Sequence, residues 1–327
     1  MAKKITFPYE IKQLTPAEDE LAKKYYKDYT RPFLRIGPSG YFGMAGLGDH
    51  IQDIYNMEVR PDDVWVTAFS RAGTTWLQEL VWLVANDLDF DRAVSEPRFS
   101  RYSYIEYPTQ TAEVKKDQPP PASGNRATEH DFRDVHTLPS PRFIKSHLPL
   151  SHLPPQLLDT AKVFYIARDP RDVAVSFFFM HKLFRYFDEG VQFTDFWDLF
   201  KKDLLLHTPI FPHIEEAWQK RNHPNLMFLF YEEMQNDLMG VINKVCKFLN
   251  KDYTQEQKLK LTEHLSFDSM ASRDSTKTQN TELKFYRKGK SGKWMEYFNT
   301  PELVREAKEY VDKHLLNTDL RFPIIVQ

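Results

Sequence analysis

The chain has 327 residues, 41% of them hydrophobic and 14% aromatic, which is enough for a large core with rings left over to line a pocket. Its formal net charge is −2 and its isoelectric point about 6.6, so no global positive field draws it to nucleic acid or an anionic membrane, and any anion site must be local. A single cysteine, Cys246, excludes an internal disulfide and a CxxC metal or redox centre, and reads as a small buried residue in a reducing compartment.

The opening MAKKITFPYEIKQLTPAEDE has no apolar core and carries acidic residues, so it reads as neither signal nor transit peptide, and a cytoplasmic location is expected. No apolar run approaches the ~20 residues that span a bilayer. Residues 1 to about 60 are mixed, with glycines and aromatics clustered in GPSGYFGMAGLGD (37–49). VWVTAF (64–69) is a short β-branched run bounded by Pro61-Asp62-Asp63 and Ser70, and predicts a buried strand. TTWLQELVWLVAND (74–87) follows, with Leu77, Leu80, Val81 and Val84 at helical spacing.

Between about 107 and 140 a polar stretch containing KKDQPPPASGN forbids long regular structure and reads as a surface excursion. PRFIKSHLP (141–149) predicts a strand ending in a polar cluster. KVFYIARDPRDVAVSFF (162–178) predicts a strand and then a helix, with Asp169 as N-cap and Pro170 in the first turn. NLMFLFYEEM (225–234) is a further buried strand; 238–249, 255–264 and 301–316 read as helices. Apolar strands alternating with helices predict one α/β domain over 1–327, a central and mostly parallel sheet with helices on both faces. In such sheets ligands bind beyond the carboxyl ends of the strands, where these polar clusters converge.

FSRAGTTW (69–76) lies where a strand gives way to a helix, and forms a P-loop-like phosphate-binding turn. Gly73 and the first helical amides can cradle an anion, with the Thr74 and Thr75 hydroxyls as added donors. Against the triphosphatase pattern GxxxxGK[ST], Ala68 replaces the first glycine and Thr74 the lysine, and the charge has moved back to Arg71. The phosphate bound here therefore belongs to a nucleotide other than Mg-ATP. Read alone, the turn could equally be a helix cap that binds nothing.

KSHLP (145–149), YIARDPRDVAVS (165–176), LFYEEM (229–234), SFDSM (266–270) and FYRKGKSGKW (285–294) follow in order. With these five motifs the chain closely resembles the cytosolic sulfotransferase family over about residues 60–300. The resemblance implies a metal-free enzyme that moves a sulfuryl group from 3′-phosphoadenosine 5′-phosphosulfate (PAPS, leaving 3′-phosphoadenosine 5′-phosphate, PAP) to the hydroxyl of a small, largely apolar acceptor such as a phenol, steroid, retinoid or other alcohol.

By that resemblance His147 is the general base, since a neutral hydroxyl must lose a proton as it attacks sulfur and imidazole titrates near neutrality. Lys145 and Arg71 match the basic positions at the transferring group, where loose in-line transfer is helped by positioning and by charge on the bridging oxygen. The family normally has lysine at the Arg71 position, giving a KSGTT loop; a planar guanidinium is not a conservative exchange for an ammonium, which puts the turnover rate in doubt. Arg168 and Ser176, joined by Arg287, Lys288 and Gly289, match the grip on the 3′-phosphate. Trp76, Tyr231 and Phe267 match positions around the adenine, with Ser266 beside them and Leu265 where a threonine is common. Tyr41, Phe42, Tyr104, Phe177, Phe178 and Met180 are candidates for the acceptor pocket, though each suits an ordinary core equally well. The long excursion at 107–140 is a candidate lid over that pocket.

Two other classes compete: a P-loop kinase or nucleotidase, against which the missing loop lysine argues, and a binding protein in which Arg71 has slowed catalysis. A related enzyme would sulfate an alcohol only to eliminate the sulfate. Many family members dimerise through KxxxTVxxxE after the RKGxxGxW motif. Here the stretch from Met295 reads MEYFNTPELV, so that contact is expected to be absent or altered, leaving a monomer or an altered dimer.

Overall fold

The computed structural model describes residues 4–26, 29–111, 130–187, 190–273, 286 and 289–325. Arg287, Lys288 and most of the excursion (112–129) lie outside the described residues. Among the described residues, no helix is long and apolar enough to cross a membrane.

The N-terminal region builds a small antiparallel sheet, β1 (Ile11–Gln13), β2 (Phe33–Ile36) and β3 (Tyr41–Met44), followed by helix α1 (Ala45–Tyr55). This sheet was not anticipated from the sequence, because three- and four-residue strands show too little alternation to stand out. The main domain begins with β4 (Val64–Thr67) and α2 (Thr74–Ala85), then β5 (Ser103–Tyr104), β6 (Phe143–Ser146), β7 (Lys162–Ala167) and α3 (Pro170–Leu183). Helices α4 (Phe193–Lys201) and α5 (Ile210–Gln219) lead to β8 (Leu226–Phe230). They are followed by α6 (Leu238–Phe248), α7 (Gln255–His264), α8 (Phe267–Ser272) and α9 (Pro301–Leu315).

The five longer-range strands form one sheet in the order β5-β6-β4-β7-β8. Every pairing in it is parallel. Side chains alternate across it, as the pleat requires. Val66, Phe164, Ile166 and Leu229 enter one core cluster with Leu77, Leu80, Val81 and Val84 of α2. Trp65, Ile144, Tyr165 and Ala167 enter the other, with Val173, Ala174 and Phe177 of α3. Helices on both faces satisfy the burial demanded by strands such as β4, in which all four residues are buried. Asp169 caps α3 by accepting from the Arg171 amide, with Pro170 in the first turn.

The register of the sheet decides what meets beyond its edge. Thr67 pairs with Ser146, so the 68–73 loop and His147 leave the sheet side by side. Tyr104 pairs with Lys145, and Ala167 with Phe230, so Arg168 emerges next to Tyr231.

Candidate active site

The phosphate-type turn is tightly built. Gly73 has φ +112°, and a Cβ there would stand 2.5 Å from Tyr231 Cδ2 and 3.2 Å from Ile166 Cδ1, so only glycine fits. Arg71 also holds a left-handed backbone, φ +69°, a conformation that concentrates at functional sites when a bulky residue adopts it. Its Nε donates to Ser176 Oγ at 3.0 Å, which ties the loop to α3. Thr74 is 5% exposed, and its Oγ1 is buried with no hydrogen-bond partner among the described residues. A buried hydroxyl without a partner is costly. At the N-terminus of a twelve-residue helix, three residues after Arg71, it is suited to an anionic oxygen. These features fit the phosphate end of a nucleotide.

Arg168 is 8% exposed. It donates through Nε to Ser291 Oγ at 3.1 Å and through Nη2 to the Lys290 carbonyl at 3.1 Å, with its guanidinium 4.2 Å from the centre of the Tyr231 ring. The neighbouring Asp169 is held by Arg171 at 2.5 Å. The 289–293 segment is anchored by residues that sequence reasoning missed. Gln235 donates to the Gly289 carbonyl and accepts from the Ser291 amide, both at 2.8 Å, while Asp172 accepts from the Gly292 amide at 2.6 Å. Gly289 has φ +60°, and a Cβ there would run into the Phe267 ring. Trp76 lies edge-on to Tyr231 at 5.4 Å and donates to the Leu265 carbonyl at 2.9 Å. Phe267 is more than one-third exposed, and Ser266 caps α8 through the Ser269 amide. The structure thus brings Arg71, Gly73, Thr74, Trp76, Arg168, Ser176, Tyr231, Phe267 and Gly289 to one side of the sheet's carboxyl edge. Ala72 is buried and Thr75 half-buried within the same turn.

His147 directly follows β6 and is 7% exposed. Its Nδ1 lies 2.7 Å from the Ala68 carbonyl. A carbonyl only accepts, so Nδ1 carries the proton and Nε2 presents a lone pair. The His147 carbonyl accepts from His213 Nε2 at 3.1 Å and from the Tyr41 hydroxyl at 3.4 Å. His213 therefore leaves Nδ1 to the Tyr165 hydroxyl at 2.7 Å. Burial pushes the His147 imidazole well below its ordinary range, and Lys145 and His207 push in the same direction. Lys145 Nζ lies 3.9 Å from the centre of the ring of its cross-strand neighbour Tyr104. His207, which sequence reasoning missed, meets Ser70 Oγ through Nδ1 at 2.7 Å and lies 5.4 Å from the His147 ring. No short-range pattern links 70, 147, 207 and 213; only the fold does.

Of the acceptor candidates, Tyr104 lies edge-on to His147 at 5.5 Å. Tyr41 and Phe177 border His207 at 6.1 Å and 6.4 Å. Phe42 stacks on Phe33, and Phe178 packs on Phe193 and Phe196. Neither has a ring contact with His147, and Met180 is partly buried against the same core cluster. Among the described residues there is no group of three or more histidine, cysteine, aspartate or glutamate side chains that could hold a metal ion.

Comparison with known proteins agrees with this geometry. Residues 61–319 match the sulfotransferase domain model. The chain is 31% identical to luciferin sulfotransferase of Photinus pyralis over 269 residues, covering 80% of this chain and 72% of that one. A retinol dehydratase in complex with retinol and PAP superposes with a TM-score of 0.89 at 37% identity, covering 98% of this chain and 100% of the other. The same name attaches to a complex with androsterone and PAP, at TM-score 0.86 and 35% identity. With a domain match that spans most of its length, a parallel sheet of the same fold and a phosphate turn of the right build, this chain belongs to the sulfotransferase family and is a PAPS-dependent transferase.

Proposed function

We propose that this enzyme sulfates a small, largely apolar alcohol or phenol, with His147 as general base. Sulfuryl transfer to a hydroxyl is the family's reaction; the acceptor class and the residue roles are the proposal. The observation that carries it is the Ala68 carbonyl on His147 Nδ1, which leaves Nε2 as the lone pair to take the acceptor's proton. Bound PAPS supplies the sulfuryl group. Gly73, Thr74, Thr75 and the Ala72–Gly73 backbone would hold its 5′ end, and Arg168, Ser176, Arg287, Lys288 and Gly289 its 3′-phosphate. Trp76, Tyr231, Phe267 and Ser266 would hold its base. Arg71 and Lys145 place positive charge where the leaving oxygen becomes anionic.

Tyr104, Tyr41 and Phe177 around His147 and His207 support an apolar acceptor, with Phe42, Phe178 and Met180 in the same core cluster as Tyr41 and Phe177. So do retinol and androsterone, the ligands of the two structures above. That similarity also favours a second reading, net dehydration. The sulfated carbon would lose sulfate with the C–O electron pair while a proton leaves the conjugated chain, giving an anhydro product and free sulfate.

Incubation with ³⁵S-labelled PAPS and a panel of phenols, steroids, retinoids and aliphatic alcohols tests both readings. Labelled sulfate ester supports transfer; free labelled sulfate with an anhydro product supports dehydration. Activity that instead required ATP and Mg²⁺ would overturn the proposal.

A further inference from the structure

We propose that Glu106 is the positioning residue of this site, holding the backbone of His147 in place for proton transfer; the inference rests on the reading of His147 as the base. Glu106 follows the two-residue strand β5. The pairing of Tyr104 with Lys145 and the Ile105 amide's bond to the Lys145 carbonyl at 3.3 Å deliver it to the end of β6. Its side chain is wholly buried. One carboxylate oxygen accepts from the His147 amide, and the other accepts from Ser146 Oγ at 3.0 Å. Ser146 Oγ in turn accepts from the Leu148 amide at 3.0 Å. One side chain, 41 residues from His147 in sequence, thus fixes the backbone on both sides of it.

A carboxylate is costly to bury, and elsewhere the same backbone amide could be satisfied by a strand partner at no such cost. Here β6 has already ended, and its neighbour β4 has turned away into the phosphate loop. Glu106 stands where the ladder stops. Together with Ala68 on Nδ1 and with His213 and Tyr41 on the carbonyl, it leaves Nε2 as the one polar atom of His147 without a protein partner among the described residues. The titratable groups facing Glu106 are Lys145 and His147 on β6 and its extension, and Tyr41 on β3. Burial raises the Glu106 carboxyl to about 7, while the His147 amide and Lys145 draw it down.

The test uses the full-length enzyme and four variants: Glu106→Asp, Glu106→Gln, His147→Ala and the double variant of Glu106→Asp with His147→Ala. Glu106→Asp keeps the acid but draws it back by one methylene. Its single-turnover transfer with saturating PAPS should fall at least ~10-fold, because displacements of about 1 Å at a reacting group cost up to ~10²-fold. Its calorimetric Kd for PAP should stay within about twofold of wild type. Because Glu106 acts through His147, adding Glu106→Asp to His147→Ala should change the residual rate by less than about twofold. Glu106→Gln, which retains a carbonyl oxygen for the His147 amide, should keep more activity than Glu106→Asp. A folded Glu106→Asp enzyme at wild-type rate overturns the inference, and so does a further tenfold loss in the His147→Ala background. If His147→Ala itself transfers at wild-type rate, the base assignment has failed instead.

Discussion

On one face of the parallel sheet, Val66, Phe164, Ile166 and Leu229 pack with the aliphatic side chains of α2 and with Val241, Val245 and Cys246 of α6. On the other face the core is rich in rings, and all five buried histidines among the described residues, His147, His152, His181, His207 and His213, sit against that aromatic cluster. The first face gains stability mainly from apolar burial, and its one buried carboxylate on α2, Glu79, is paired with Arg101 and held down at about 2, so that it stays ionised near neutrality. The second buries imidazoles, which burial holds neutral, and each must find a partner: Ala68 for His147, Ile36 for His152, Ser70 for His207, Tyr165 for His213 and Phe177 for His181. The histidines around the base are therefore supported from one side of the sheet, while the aliphatic core lies on the other with Trp76 and Tyr231 of the nucleotide side against it, and changes on the two sides should have different consequences.

The largest expected effect is on the aliphatic face. Leu80→Ala, at a fully buried position, should lower unfolding stability by about 2–5 kcal/mol through lost contacts and a residual cavity. Its kcat and KM per folded molecule should be unchanged; a selective loss of kcat would blur the division between faces. Next comes Arg71→Met, which should cost about 3 kcal/mol of transition-state stabilisation in single-turnover experiments if the guanidinium stabilises the leaving group. Arg71→Lys should retain or raise the rate, since lysine offers a compact donor. Lysine much slower than arginine would mean a pocket rebuilt around the planar fork that reaches Ser176, and a fully active methionine variant would remove Arg71 from the catalytic set.

A smaller effect should appear in the dependence of stability on pH. Burial depresses the folded-state pKa of His152, His181 and His207 to about 3 and of His213 to about 4, and that of His147 falls well below the ordinary value. The unfolded chain then binds protons first. Their contribution is present above about 6.5 and is lost as pH falls below it, by at most about 1.4 kcal/mol per pH unit for each ring. Glu106 and Glu232, raised to about 7, and Asp203, raised to about 6, act in the opposite sense. Urea midpoints should therefore fall between pH 6.5 and 4.5, and a midpoint rising on acidification would contradict buried neutral imidazoles. The smallest effect concerns 295–304. There Met295 is more than half exposed and Thr300 caps α9, in place of the KxxxTVxxxE pattern. Changes at 295–304 that leave the cap intact should not alter the sedimentation coefficient; a tight dimer abolished by them would reverse that expectation.

Much of the nucleotide side was legible because its residues travel in short runs that the fold leaves intact. Gly73 and Trp76 share a turn, and Arg168, Asp169 and Pro170 share a strand end and a helix cap. The base side was legible only at His147 and Lys145. Glu106, His207 and His213 lie 41, 60 and 66 residues from His147 in the chain, and become its neighbours only through strand register and helix packing, which periodicity does not encode. The same holds for Gln235 beneath the glycine-rich segment. β1–β3 escaped because they are too short for sustained alternation: β2 and β3 meet through a turn with positive φ at Gly37 and Gly40, and β1 pairs with β2 across some twenty intervening residues. The acceptor candidates were ambiguous in sequence for the reason visible in the fold: one aromatic cluster serves as core at Phe42 and Phe178 and borders the histidines at Tyr104 and Phe177.

The central claim is that His147 Nε2, the one polar atom of that residue without a protein partner among the described residues, takes the proton from the acceptor. The most direct test is single-turnover ³⁵S transfer by His147→Ala at saturating PAPS, paired with calorimetric PAP binding. The account predicts at least a ~10²-fold slower transfer, the usual cost of removing a positioned general base, with nucleotide affinity kept. A folded His147→Ala enzyme that binds PAP and transfers sulfuryl at the wild-type rate would contradict it.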